Sequence, residues 1–130
     1  MDAPSLSVCI NHKNRSFYER DGALIPLFRG GYNALLGALD AARVSAEIVI
    51  ADWQDERSER LGLGPWCNDV RVRVIKCTGG FTRGGGRCVA AKASRAAALC
   101  FLDADMIAVP YLFTRGMEVV ASGKAFFPLY

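Results

Sequence analysis

The sequence lacks any long hydrophobic run, and it contains only one histidine, His12, among 130 residues. A membrane-spanning helix needs about 20 consecutive apolar residues, so the sequence predicts no membrane span. The first apolar run, Leu6 to Ile10, is too short for the core of a signal peptide, and the acidic Asp2 precedes it. We therefore expect a soluble, cytoplasmic protein.

Closely spaced cysteine pairs are also missing. The sequence has an odd number of cysteines, spread along the chain: Cys9, Cys67, Cys77, Cys88 and Cys100. A structural zinc site needs cysteine or histidine ligands in close pairs, and a cysteine or serine hydrolase needs a histidine at recognisable spacing from its nucleophile. The sequence favours neither, and it predicts five free thiols in a reducing compartment.

Acidic residues are absent from residues 70–102, although the net charge of the whole chain is only +3. This cationic stretch holds seven basic residues: Arg71, Arg73, Lys76, Arg83, Arg87, Lys92 and Arg95. It ends in two carboxylates, Asp103 and Asp105. One interpretation is an anion site beside a metal site; the other is a set of solvated helix and strand faces. The near-neutral overall charge disfavours a nucleic-acid partner.

Three short apolar runs, Leu6–Ile10, Glu47–Ala51 and Leu99–Leu102, predict buried strands of one sheet. The segment Val70–Ile75, in which valines alternate with arginines, predicts a further strand with one face in solvent. Helices are predicted from Leu24 to Leu39 by the spacing of leucines, from Arg87 to Ala98 by alanine content, and from Pro110 to Ser122. A further strand is expected to begin at Lys124.

This alternation of strands and helices predicts an α/β fold with a Rossmann-like layered sheet, mainly parallel, and helices on both faces. No linker divides the chain, so residues 1–130 are expected to form one domain. Ligands of such sheets bind at the carboxyl ends of the strands. The polar ends of the predicted strands, Asn11 to Asn14, Asp52, Asp103 and Asp105, should therefore converge.

The segment Asp103-Ala104-Asp105 is the sharpest chemical feature. Two like charges this close repel unless a cation lies between them. Magnesium or manganese typically takes one or two carboxylates together with substrate phosphates. The alternative is a turn in which both acids are solvated or cap the next helix.

A glycine-rich segment, Gly79 to Arg87, precedes these acids. It is neither a P-loop, because no Gly-Lys-Ser or Gly-Lys-Thr follows, nor the dinucleotide fingerprint, which follows the first strand. It leads into a helix N-terminus, where free amides favour an anion, and Arg83 and Arg87 would add charged donors to phosphate oxygens. The alternative is a flexible surface turn.

Taken in order, these motifs resemble family 2 glycosyltransferases of the GT-A fold. The resemblance is carried by Leu6–Asn14, Glu47–Asp52, Gly80–Arg83, and Phe101–Met106 with Pro110. It extends over nearly the whole chain and is nearest to chondroitin-type polymerases and polypeptide galactosaminyltransferase-like domains. The resemblance implies a domain that binds a nucleotide sugar, most often a UDP-sugar, and transfers its sugar to a carbohydrate acceptor.

The resemblance also implies roles for individual residues. His12 and Lys13 would flank the base, and Asp52 would read it. Arg83 would lie near the nucleotide, and Asp103 would approach the ribose. Asp105 would hold the manganese or magnesium ion that bridges the diphosphate.

The chain departs from the family at three places. Trp53-Gln54-Asp55 stands where the family often has Asp-Gly-Ser, and Cys88 stands where it often has asparagine. The acceptor-binding half, which supplies the catalytic base, would follow Tyr130, so no catalytic residue is assigned. We expect a truncated form of the full family fold that is inactive alone or works in a larger assembly.

Two other functions remain open at this point. A nucleotidyltransferase of similar sheet architecture also uses paired acids and a metal, and a non-catalytic domain would bind the nucleotide without turnover. The apolar segment Phe126–Tyr130 further predicts self-association.

Overall fold

A parallel sheet with helices on both faces forms the core of the chain. The computed structural model describes residues 3–53 and 60–125. The strands in these ranges are β1 (Leu6–His12), β2 (Phe17–Arg20), β3 (Ala23–Pro26), β4 (Ala46–Asp52), β5 (Val72–Lys76) and β6 (Ala98–Phe101). The helices are α1 (Phe28–Ala42), α2 (Arg83–Ala93) and α3 (Pro110–Ala121).

The sheet has the strand order β5-β4-β1-β6, and every neighbouring pair is parallel. The α/β class and the parallel sheet predicted from the sequence are therefore confirmed. The register places His12 beside Asp52, and Asp52 beside Lys76, at the carboxyl ends of β1, β4 and β5. All four strands thus deliver their last residues to the same edge of the sheet.

Side chains alternate between the two faces of the sheet, and each face packs against different helices. The even-numbered residues of β1 and β4, such as Val8 and Ile48, join α1 and α3 in the larger core. The odd-numbered residues, such as Cys9 and Val49, join Ala90 of α2 in a smaller core. This two-residue period decides which polar residues reach each side of the edge.

The predicted helix from Leu24 is wrong at its start, because Leu24 lies in strand β3. Strands β2 and β3 form an antiparallel hairpin, and α1 begins only at Phe28. The hairpin turns at Asp21 and Gly22, which have φ values of 51° and 79°. This Asp-Gly turn suits the twist of a two-residue hairpin, and it overrides the helical spacing of the leucines.

The second helix also differs from its predicted bounds. Helix α2 begins at Arg83 rather than Arg87, takes in three glycines of the predicted loop, and ends at Ala93. Thr82 caps it by accepting a hydrogen bond from the Gly85 amide at 2.9 Å. Ala98 belongs instead to β6. A threonine cap therefore starts the helix in spite of the low helix propensity of glycine.

The remaining boundaries are closer to expectation. Strand β5 begins at Val72, two residues after the predicted start, and Val70 is exposed. Lys124 and Ala125 lie outside any strand, and the apolar segment 126–130 lies outside the described residues. Among the residues described, no helix is long and apolar enough to cross a membrane.

Candidate functional site

A cleft of about 330 Å³ opens at the carboxyl edge of the sheet, between the ends of β1 and β6 and the start of α2. Its charged lining consists of four cations and two carboxylates: Lys13, Arg15, Arg83, Arg87, Asp103 and Asp105. Four of the six residues predicted for the site therefore share one cleft. The cations outnumber the acids, so the cleft is suited to an anion.

The two aspartates face the cleft together. Along Leu102 to Asp105 burial alternates, so that Leu102 and Ala104 are buried whereas Asp103 and Asp105 are exposed. The backbone of this segment packs closely on α1, where a Cβ on Gly31 would lie 3.1 Å from the Met106 carbonyl oxygen. The apolar residues thus anchor the segment and leave both carboxylates on the open side.

Asp103 and Asp105 differ in their partners. Asp103 accepts a hydrogen bond from the Arg87 guanidinium at 3.3 Å, and the two side chains are 55% and 49% exposed. Among the residues that the structure describes, Asp105 has no ion-pair partner. One carboxylate is therefore balanced within the protein, and the other is available to a cation from solvent.

The chemistry of the two carboxylates fits a hard divalent cation. Magnesium and manganese accept one or two protein carboxylates and complete their coordination with phosphate oxygens and water. Within residues 3–53 and 60–125, no three His, Cys, Asp or Glu side chains cluster as a metal site. With two protein carboxylates, a metal ion here would keep coordination positions for phosphate oxygens and water.

Asn11 joins three elements at the floor of the cleft. Its side-chain amide donates to the carbonyl oxygens of Thr82 and Arg83 at 3.1 and 3.4 Å, and its oxygen accepts from the indole of Trp53 at 2.7 Å. Gly86 in α2 lies against the same carboxamide, where a Cβ would overlap it. Asn11 thus fixes the start of α2 relative to the ends of β1 and β4.

His12 and Asp52 lie beneath the cleft and do not line it. Both are buried, with exposed fractions of 0% and 1%. His12 Nε2 accepts the backbone N–H of Arg15 at 3.3 Å, so the proton is assigned to Nδ1, which donates to Asp52 Oδ1 at 3.4 Å. Neither side chain lines the cleft in this structure, and their base-binding roles stay predictions.

Asp52 is an ionised carboxylate held between two donors. Burial by itself raises the pKa of the Asp52 carboxyl. The hydrogen bonds from His12 and Lys76 together lower it by more, so the pKa of Asp52 lies below its ordinary value. Lys76 Nζ lies 3.1 Å from Asp52 Oδ2, at the solvent side of the pair. Asp52 is therefore a buried carboxylate at the carboxyl edge of the sheet, and its charge is balanced by Lys76.

Ser16, His12 and Asp52 form a hydrogen-bonded row that has the residue types of a hydrolytic triad. Ser16 Oγ lies 3.2 Å from His12 Nε2. Ser16 is fully buried, however, and Nε2 already accepts from Arg15. The backbone of Ser16 also binds Leu61, Leu27 and Arg29. These contacts hold the loop after β1 in place, and the Ser16 hydroxyl is buried.

The cleft also contains residues to which the sequence assigned no role. Arg15 and Phe81 line it, and Phe81 stacks edge-on with Trp53 at a centroid distance of 5.9 Å. Lys13 Nζ lies 5.8 Å from the Phe81 centroid. The sequence did contain a signal for Phe81, which is a large apolar residue in an otherwise polar, glycine-rich loop. Such a residue is exposed to water unless it contacts another side chain or a ligand.

No family model and no curated protein matches this chain. The residues of the cleft and their chemistry therefore carry the functional argument.

Proposed function

We propose that this chain is the donor-binding domain of a glycosyltransferase, and that its cleft binds a nucleoside-diphosphate sugar through a metal-bridged diphosphate. The observation that carries the proposal is the juxtaposition of Asp103 and Asp105 with Lys13, Arg83 and Arg87 in one cleft. A diphosphate with a divalent cation presents both signs of charge, as the cleft does. A site for a simple anion would need only the basic side chains. The two carboxylates would repel such an anion and weaken its binding.

Asp105 would hold a magnesium or manganese ion at the β6 side of the cleft, and Asp103, which the resemblance places at the ribose, would share that ion because it lies in the same cleft. When bound, such an ion neutralises the diphosphate and stabilises the nucleoside diphosphate as it departs from the sugar. Lys13 and Arg83 also line the cleft and would donate to the remaining phosphate oxygens. The protein's contribution is to orient the donor and to balance its charge.

The start of α2 supports the same placement of the diphosphate. Arg83 and Gly84 occupy its first turn, where backbone N–H groups lack helical acceptors and attract anions. A Cβ on Gly84 would meet nothing within 4 Å, so the backbone there is open to a ligand. Asn11 fixes this turn against β1.

The proposal extends to setting and partners. The five cysteines are all free thiols, which suits the reducing cytoplasm. The donor is a UDP-sugar and the acceptor is a carbohydrate or glycan, as the resemblance implies. Transfer requires a catalytic base and an acceptor site, which the proposal places outside the described residues.

The proposal predicts that UDP binds only when Mn²⁺ or Mg²⁺ is present. Asp105→Ala removes an exposed carboxylate from the metal side of the cleft and is expected to weaken UDP binding at fixed Mn²⁺ by about tenfold, the loss typical of one charged contact. Isothermal titration of UDP into the protein, with Mn²⁺ and with a chelator, measures both effects.

Glu118→Ala is the matched control, because Glu118 is an exposed acid of α3 that pairs with Arg115, away from the cleft. This variant should bind UDP as the wild type does. Equal UDP affinity in wild type and Asp105→Ala, or equal affinity with chelator, would overturn the proposal. Pyrophosphate release from a nucleoside triphosphate would favour a nucleotidyltransferase instead.

A further inference from the structure

Arg87 lies where it could pair either with Asp103 or with the phosphates of the proposed donor. In this structure it pairs with Asp103. It lies four residues after Arg83 on α2, so both guanidinium groups project from the same side of the helix. Both line the cleft, and Arg87 pairs there with an acid, Asp103. The same side chain is thus placed near the proposed metal side and near the phosphate side.

The Arg87–Asp103 pair is of a kind that exchanges easily. It is a single contact of 3.3 Å rather than a bidentate one, and both side chains are about half exposed. Exposed ion pairs of this kind contribute little to stability. Holding the loop in place is therefore left mainly to the buried Leu102 and Ala104.

We infer that Arg87 is an exchangeable counter-ion: it balances Asp103 when the cleft is empty, and it moves to the diphosphate when the donor and its metal ion bind. This inference rests on the proposed function. Arg87 then opposes binding of the metal ion alone, because it competes for Asp103 and repels a second cation. It supports binding of the nucleotide, because its guanidinium gains a charged acceptor.

The inference predicts effects of opposite sign from one substitution. In Arg87→Met, Asp103 loses its competitor, so the affinity for Mn²⁺ alone is expected to rise about threefold to fivefold. At saturating Mn²⁺, the affinity for UDP is expected to fall about tenfold, because a charged donor to the phosphates is lost. A purely structural role for Arg87 would weaken both affinities.

The experiment uses the full chain and two separate titrations. The electron paramagnetic resonance signal of free Mn²⁺ reports metal binding without nucleotide, and calorimetry reports UDP binding at saturating Mn²⁺. Arg87→Lys keeps the cation and should leave the affinity for Mn²⁺ alone near that of wild type. Lys92→Met removes a charge from α2 outside the cleft and should leave both titrations unchanged.

Thermal melting first establishes that each variant is folded. Tighter Mn²⁺ binding together with weaker UDP binding in Arg87→Met supports the inference. Unchanged or weaker Mn²⁺ binding in Arg87→Met overturns the inference about Arg87. The proposed function is not affected by that result if the wild-type protein binds UDP in the presence of Mn²⁺. If the wild type binds neither Mn²⁺ nor UDP, both are overturned.

Discussion

Replacing Gly86 by alanine is expected to lower the free energy of unfolding by about 2–3 kcal/mol, as overpacking does in a close-packed site. A Cβ at this position would overlap the carboxamide of Asn11. That carboxamide has little room to move, because it is bonded to Thr82, Arg83 and Trp53. The start of α2 would shift away from β1, and UDP binding would weaken as the cleft widens.

Gly84→Ala is the matched control, since a Cβ there would meet nothing within 4 Å. Alanine is the better helix former, so this variant is expected to gain about 0.5 kcal/mol. Urea denaturation of the two variants beside wild type measures both changes. If Gly86→Ala is as stable as Gly84→Ala, the contact of Asn11 with α2 does not organise the cleft.

Asp52→Ala is expected to cost about 1–3 kcal/mol in free energy of unfolding at pH 7, the range found when a buried hydrogen-bonding group loses its partner. The substitution leaves the His12 N–H without an acceptor in the core, and it frees Lys76. Glu118→Ala is again the control, because an exposed acid should cost less than about 1 kcal/mol. Urea midpoints give the comparison.

The pH dependence identifies the carboxylate as the cause. The folded-state pKa of Asp52 lies below its ordinary value of 3.8. The stability that its charge contributes is therefore fully present above the unfolded-state pKa, and it is lost as pH falls through the folded-state pKa. The difference between wild type and Asp52→Ala should be constant near neutral pH and should narrow in acid below about pH 4. A difference that stays constant down to about pH 2 would show that lost packing, and not charge, is responsible.

The strand period explains which site residues the sequence could place. Asn11 and Lys13 follow the odd-numbered side of β1, and both line the cleft. His12 and Asp52 occupy even-numbered positions, which belong to the face that packs on α1 and α3. The convergence of the strand ends could be predicted, because the ends of parallel strands meet at one edge of the sheet. Side chains alternate between the two faces, however, so that Lys13 lines the cleft whereas its neighbour His12 points into the core on the other face.

The start of α1 shows why local spacing misleads. Leu24, Leu35 and Leu39 fit a helical repeat, yet Leu24 belongs to the β2–β3 hairpin. The Asp21-Gly22 pair was the competing signal, and its positive φ angles decide the local fold. The spacing of the leucines predicts which residues can be buried on one face of a helix. It does not predict where the helix begins, which is decided here by the turn at Asp21 and Gly22.

The glycine-rich start of α2 could not be assigned from propensity, because tertiary contacts set it. Three glycines weaken a helix by themselves, and the sequence predicted a loop there. The Thr82 cap and the close approach of Asn11 to Gly86 compensate for that weakness. Asn11 and Thr82 lie 71 positions apart in the chain, a separation that local patterns do not register.

Backbone amide spectra of the ¹⁵N-labelled chain, titrated with UDP in the presence and absence of Mg²⁺, test most directly whether the carboxyl edge of the sheet holds a metal-bridged diphosphate. We expect Mg²⁺-dependent shifts concentrated at Lys13, Arg83 to Arg87 and Asp103 to Met106, with little change in the β2–β3 hairpin. Shifts that appear equally without Mg²⁺, shifts confined to other parts of the chain, or no shifts at all would contradict this expectation.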